Sequence, residues 1–184
     1  MKRLEVPIYF QPNSYTCVPV SLKMVLDYIA NNCLEDGNLD LEIDDICRIV
    51  KTTSDGTIFE NVKLINSDKR ILKAIPSIEV VAKYEHHTLE DIEEELRNGR
   101  PAIAWILPRE AVDRDTQHSI VITGIDKEGY KICCNDPIFG VREMSLGDFI
   151  SCWDATDRTL VKVKVGQRLQ RILDEWAEKA GARL

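Results

Sequence analysis

The chain changes character at Asn98-Gly99-Arg100-Pro101. Before that point apolar residues recur at helical spacing: Leu22, Val25, Leu26 and Ile29 form one stripe, Ile43, Ile46, Cys47 and Val50 a second, and Leu89, Ile92 and Leu96 another. After it come four β-rich runs, 101–107, 119–124, 129–134 and 158–165, with Asp126-Lys-Glu-Gly129 as a hairpin turn between two of them. One earlier run, 77–84, also reads as a strand. Helices first and strands afterwards predict an α+β fold on an antiparallel sheet. They argue against the strict β-α alternation of a doubly wound protein.

Local signals set the boundaries. Thr88-Leu-Glu-Asp91 and Ser145-Leu-Gly-Asp148 are capping-box patterns that open helices, the second carrying Phe149, Ile150 and Trp153. Asp40 is the expected cap of a helix running to Lys51, which would place Cys47 in the core. A loop at 52–57 precedes a short helix through Ile58, Val62 and Ile65, and a last helix covers about 167–180. The 184 residues therefore read as a single domain. It divides into a helical half to about residue 98, a sheet half over about 99–165 and a C-terminal helix over about 166–181.

Composition removes several function classes. The net charge is −7 without clustered Lys and Arg, which excludes a nucleic-acid surface. No apolar run approaches the roughly 18 residues of a membrane span, and Met1–Pro7 lacks the apolar segment of a signal peptide. A cytoplasmic protein with no membrane segment is expected, and its six cysteines are then reduced. None forms a CxxC pair, and Cys33 and Cys47 with His86-His87 match no zinc knuckle, so no metal or cofactor is expected. Strand alternation puts one of Cys133 and Cys134 inward and the other outward. Oligomeric state is left open by the sequence.

The chemistry-bearing residues lie in three places. Pro19 is tolerable only in the first turn of a helix, so Cys17 falls at the helix N-terminus, where free N–H groups and the dipole favour a thiolate. His118 opens the run Ser119–Gly124 directly after a polar loop, whereas His86 and His87 sit in a polar turn and are expected to be exposed or capping. Asn135-Asp136-Pro137 closes the next strand, and an antiparallel return brings Asp136 to the same end as His118. Cysteine, histidine and carboxylate then supply a nucleophile, a general base and an orienting group.

Gln11, five residues, Cys17, and much later His118-Ser-Ile-Val-Ile-Thr-Gly and Asn135-Asp136-Pro137 together resemble the papain-like cysteine peptidases. The nearest likeness is to the bacteriocin-processing, double-glycine leader peptidases and their freestanding relatives. The resemblance spans roughly residues 5–165 and implies a papain-like fold, with the nucleophile helix packed on the sheet. It implies a cysteine peptidase acting on a peptide or protein substrate, with catalytic Cys17, His118 and Asp136, and with Gln11 and the Cys17 N–H as the oxyanion hole. An amidase or acyltransferase on the same scaffold, and a binding module without turnover, remain open readings. Where the family usually reads Cys-Gly-Pro-Ala, this chain has Cys17-Val18-Pro19-Val20, and the branched residue predicts a narrower space beside the nucleophile. With no membrane-spanning segment in the sequence, leader processing coupled to export is not expected.

Overall fold

A computed structural model describes residues 3–34, 39–108 and 116–179. Six helices, a 3₁₀ segment and six strands follow one another: α1 (Cys17–Cys33), α2 (Ile43–Ile49), the 3₁₀ helix Phe59–Ser67, α3 (Lys69–Ala74), β1 (Glu79–Lys83), α4 (Leu89–Arg97), β2 (Ala102–Ile106), β3 (His118–Asp126), β4 (Lys131–Asp136), β5 (Gly140–Ser145), α5 (Leu146–Asp154), β6 (Leu160–Lys164) and α6 (Gln167–Lys179). The strands form one sheet in the order β1-β6-β2-β3-β4-β5, and every neighbouring pair is antiparallel. The expected α+β architecture is what is found. None of the described helices is long and apolar enough to cross a membrane.

α1 is the central helix. From Cys17 to Ala30 every residue but Lys23 is buried, so its apolar surface extends well beyond the expected stripe. It packs against β2 and β3 on one side and α2 and α6 on others. A helix apolar nearly all round has no stable place except inside a core. Val18 and Val20, 3% and 0% exposed, are therefore packing residues.

Several elements differ from expectation for local reasons. α2 is capped by Glu42 in a reciprocal box with Asp45, not by Asp40, and its shorter span leaves Cys47 half-buried instead of in the core. The third helix is 3₁₀, and its Asn66 amide pairs both backbone groups of Val80, donating to the carbonyl (2.9 Å) and accepting from the N–H (2.7 Å). That clamp orders β1 at the sheet edge. Asp68 then caps the additional helix α3 through Arg70 N–H and Ile71 N–H.

β5, on the opposite edge, was not expected either. Its alternation shows exposed Val141 and Glu143 on one side, so no apolar run marks it. Cys133 and Cys134 are both buried, 2% and 0% exposed, where one outward thiol was expected. The N-terminal arm explains this. A bulge between Ile122 and Gly124 frees the Thr123 carbonyl, which accepts from Leu4 N–H at 2.8 Å, so the arm lies along the β3–β4 end of the sheet.

Candidate active site

Cys17 is the first residue of α1. The Thr16 side chain does not cap the helix; its hydroxyl donates to the Asn13 carbonyl at 3.2 Å. The first turn carries no acidic residue. The positive end of the helix therefore faces Cys17 without a carboxylate to offset it. One turn further on, the Ser21 hydroxyl lies 3.1 Å from that of Ser119 and donates to the Ser119 carbonyl at 3.4 Å, both residues fully buried. This contact fixes α1 against the start of β3.

His118, 7% exposed, is the first residue of β3 and pairs with Ile106 of β2. Its Nε2 is 2.9 Å from Asp136 Oδ1. With Nε2 so engaged, Nδ1 is left for the Cys17 sulfur, with which the imidazole also interacts. Asp136, 1% exposed, ends β4. Its Oδ1 further accepts from Ile138 N–H (2.8 Å) and Phe139 N–H (3.3 Å), and its Oδ2 accepts from Arg142 Nη1 (3.2 Å). The turn into β5 is tight, and Gly140 at φ 77° permits it.

The electrostatics follow from this arrangement. Burial pushes the Cys17 thiol up, but the hydrogen bond and charge of His118, with hydrogen bonds from Ser119, bring it below its ordinary value. Burial pushes His118 down, and the Asp136 hydrogen bond together with Cys17 lifts it to about 9. Burial likewise pushes the Asp136 carboxyl up, and His118, the Ile138 N–H and Arg142 bring it down. The lowered thiol and the raised imidazole both favour a thiolate–imidazolium pair held by a carboxylate, and the titrations belong to the set rather than to one residue. Cys33 and Cys134, in contrast, are raised by burial to about 11 and about 12.

Gln11 is tied to the end of β4 by its backbone, and its side-chain amide is engaged with Asn13. Its backbone N–H donates to the Pro137 carbonyl at 2.9 Å, one residue beyond Asp136, while its Nε2 donates to the Asn13 carbonyl at 2.9 Å. Its Oε1 is buried without a hydrogen-bond partner. Asn135 strengthens the same junction, its amide donating to the Val6 (2.9 Å) and Pro7 (3.3 Å) carbonyls of the arm. Among the described residues no three His, Cys, Asp or Glu side chains are grouped to hold a metal ion.

The profile of the Peptidase_C39-like family matches residues 3–161, most of the chain. The chain belongs to that family. Solved structures of C39 peptidases share the fold of this C39-like chain. A putative C39-like peptidase from Bacillus anthracis aligns over 90% of this chain and 99% of its own, with a TM-score of 0.66 at 12% identity. The peptidase domain of Streptococcus ComA, a bi-functional ABC transporter involved in quorum sensing, aligns over 90% and 97%, with a TM-score of 0.58 at 19% identity. A double-glycine motif protease from an AMS/PCAT transporter, solved with its leader peptide, aligns over 88% and 91%, with a TM-score of 0.54 at 20% identity. None of the curated proteins matches.

Three residues of the C39-like site were not singled out in the sequence. Ser21 stands one helical turn after Cys17 and Ser119 directly follows His118, so helix and strand periodicity could have paired them. Arg142 had no such signal, because the strand that carries it was itself unmarked. His87, expected to be exposed or capping, is instead 7% exposed, with Nδ1 3.6 Å from Asp91 Oδ2.

Proposed function

We propose that this C39-like chain is a cysteine-type peptidase that cleaves a peptide or protein substrate through a thioester on Cys17. The observation that supports this reading is the convergence of Cys17, His118 and Asp136, three residues remote in sequence, with Nε2–Oδ1 at 2.9 Å. Lowering of the thiol and elevation of the imidazole to about 9 both favour the ionised nucleophile.

The thiolate attacks the scissile carbonyl, and the imidazolium at His118 donates its proton to the leaving amine. Neutral His118 then takes a proton from water, whose oxygen attacks the thioester and releases the acid. Asp136 keeps the ring oriented through both steps. The Cys17 N–H, at an uncapped helix start, is one oxyanion donor, and the Gln11 amide is the second. One Gln11 N–H is engaged with the Asn13 carbonyl, which leaves the amide's other N–H as the donor for an oxyanion. A peptide substrate agrees with the leader peptide bound in the double-glycine motif protease.

Iodoacetamide labelling of Cys17, followed by mass spectrometry between pH 5 and pH 9, tests the ion pair. Rapid labelling at pH 6 is expected, and Cys17→Ala abolishes both that label and cleavage of a peptide library. Labelling of Cys17 no faster than a free thiol at pH 6 would falsify the mechanism. Gln11→Ala is expected to label normally while losing about 10²–10³ in turnover, the usual loss of one oxyanion donor.

A further inference from the structure

Asp136 has two oxygens with different surroundings. Oδ1 is crowded by His118 Nε2 and two backbone N–H groups, whereas among the described residues Arg142 Nη1 is the donor to Oδ2. The carboxylate is 1% exposed, so loss of that donor leaves one oxygen of a buried charge without a partner. Arg142 is held where it acts. Its guanidinium lies 4.7 Å from the centre of the Phe139 ring, and its strand position pairs with Cys134 of β4.

We propose that Arg142 is a positioning residue of the peptidase site, acting through the far oxygen of Asp136 to hold the carboxylate against His118 and to set the pH range of the Cys17–His118 pair. The proposal rests on the peptidase reading above.

The electrostatic consequence has a fixed sign. A cation near a titrating group disfavours its protonated form, so removing the Arg142 charge raises the pKa of Asp136, His118 and Cys17 together. Among the described residues the charged or titratable groups facing Asp136 are His118 from β3 and Arg142 from β5, with the Cys134 thiol on its own strand. α1 contributes Cys17 through His118, and the N-terminal arm meets β4 through the Val6 and Pro7 carbonyls. α5 starts at the other end of β4, where Ser145 pairs with Lys131. A purely structural arginine would lower stability or amplitude on removal but leave the position of the pH limbs unchanged.

The test compares wild type, Arg142→Gln and Arg142→Lys in the full chain, reading Cys17 labelling by iodoacetamide and the imidazole titration of His118 by NMR. Arg142→Gln is expected to move the Cys17 labelling limb upward by about half a pH unit or more, because the lost cation and a looser Asp136–His118 bond both raise the thiol; the His118 signal shows that the ring is still in place. Arg142→Lys keeps the charge and is expected to stay near wild type. Phe139→Ala, at an exposed position, loosens the same guanidinium without changing charge; it provides a second route should Arg142→Gln not fold, and a smaller upward move is expected. A Cys17 labelling limb that stays at the wild-type pH in a folded Arg142→Gln, or in Phe139→Ala when Arg142→Gln does not fold, overturns the proposal. Slow Cys17 labelling in the wild type would instead overturn the peptidase reading on which it rests.

Discussion

Two histidines of this chain are equally buried, each beside an aspartate, yet they titrate in opposite directions. His118, 7% exposed, is raised to about 9, while His87, also 7% exposed, is lowered. Burial lowers both. What differs is how the neighbouring aspartate is already engaged. Asp91 accepts from Lys162 Nζ on one oxygen (2.8 Å) and from Thr88 N–H on the other (2.8 Å), so it reaches His87 only at 3.6 Å, beyond a good hydrogen bond. The Lys162 charge also disfavours the imidazolium. Asp136, in contrast, gives His118 a 2.9 Å bond, and Cys17 adds a hydrogen bond and a second negative charge. An aspartate neighbour alone therefore does not make a basic histidine.

The largest contrast should come from removing each ring. His118→Ala is expected to slow Cys17 labelling at pH 6 by about 10²-fold, because a thiol near its free pKa of about 8.5 is well under 1% ionised there. His87→Ala should leave that rate unchanged. Equal effects of the two substitutions would dissolve the distinction drawn between the sites. Next in size is Asp136→Asn, which keeps the shape and removes the charge. A charge-assisted hydrogen bond of about 1.5–3 kcal/mol corresponds to a fall of about one to two units in the His118 midpoint, readable by NMR while the His87 signal stays in place.

The pair also has a stability signature. An elevated His118 contributes stability that is present below its unfolded value of about 6.5 and is lost as pH rises through about 9. A lowered Cys17 contributes stability that is present above its unfolded value of about 8.5 and is lost as pH falls through its folded value. Above the folded Cys17 value, and between those unfolded values, folding moves one proton from sulfur to nitrogen with no net uptake. The pair therefore leaves stability flat over the part of about pH 6.5 to 8.5 that lies above the folded Cys17 value, as denaturant titrations at several pH values would show.

The parts of the site carried by short-range pattern were legible in the sequence. Pro19 and the Leu22, Val25, Leu26, Ile29 stripe put Cys17 at a helix start, and the hairpin around 126–129 put His118 and Asp136 at one end of the sheet. The α+β order, the Thr88 box and the Ser145 cap were equally readable. What escaped depends on tertiary cover. β5 is a polar edge strand, Cys133 is hidden by an arm distant in sequence, and Asp91 turns from cap to ion-pair partner only when β6 brings Lys162 to it. Gln11 was named from the sequence as a candidate, but the engagement of its amide with Asn13 was not legible there.

A structural link that separates the two histidines is the Ser21–Ser119 contact, which touches only the His118 side. Ser21→Ala should cost about 1 kcal/mol of stability, the usual net value of a buried hydrogen bond, visible as a modest fall in Tm. It should also broaden the pH response of Cys17 labelling by loosening α1 against β3, while the His87 titration is unmoved.

The smallest expected effect is at Lys162, and it tests the comparison from the other side. Lys162 pairs with Asp91 at 2.8 Å and lowers His87 by its charge, second only to burial. Lys162→Met removes that charge and frees one Asp91 oxygen, so the His87 midpoint should rise while the His118 midpoint stays near 9. The stability sign follows: a histidine lowered in the folded state binds fewer protons than the unfolded chain, so stability is lost as pH falls below about 6.5. Lys162→Met should therefore make the acid side of the stability profile shallower. A His87 midpoint that does not move would mean that burial alone sets it, and the contrast with His118 would then lie in Cys17 and Asp136 rather than in the cations behind the two aspartates.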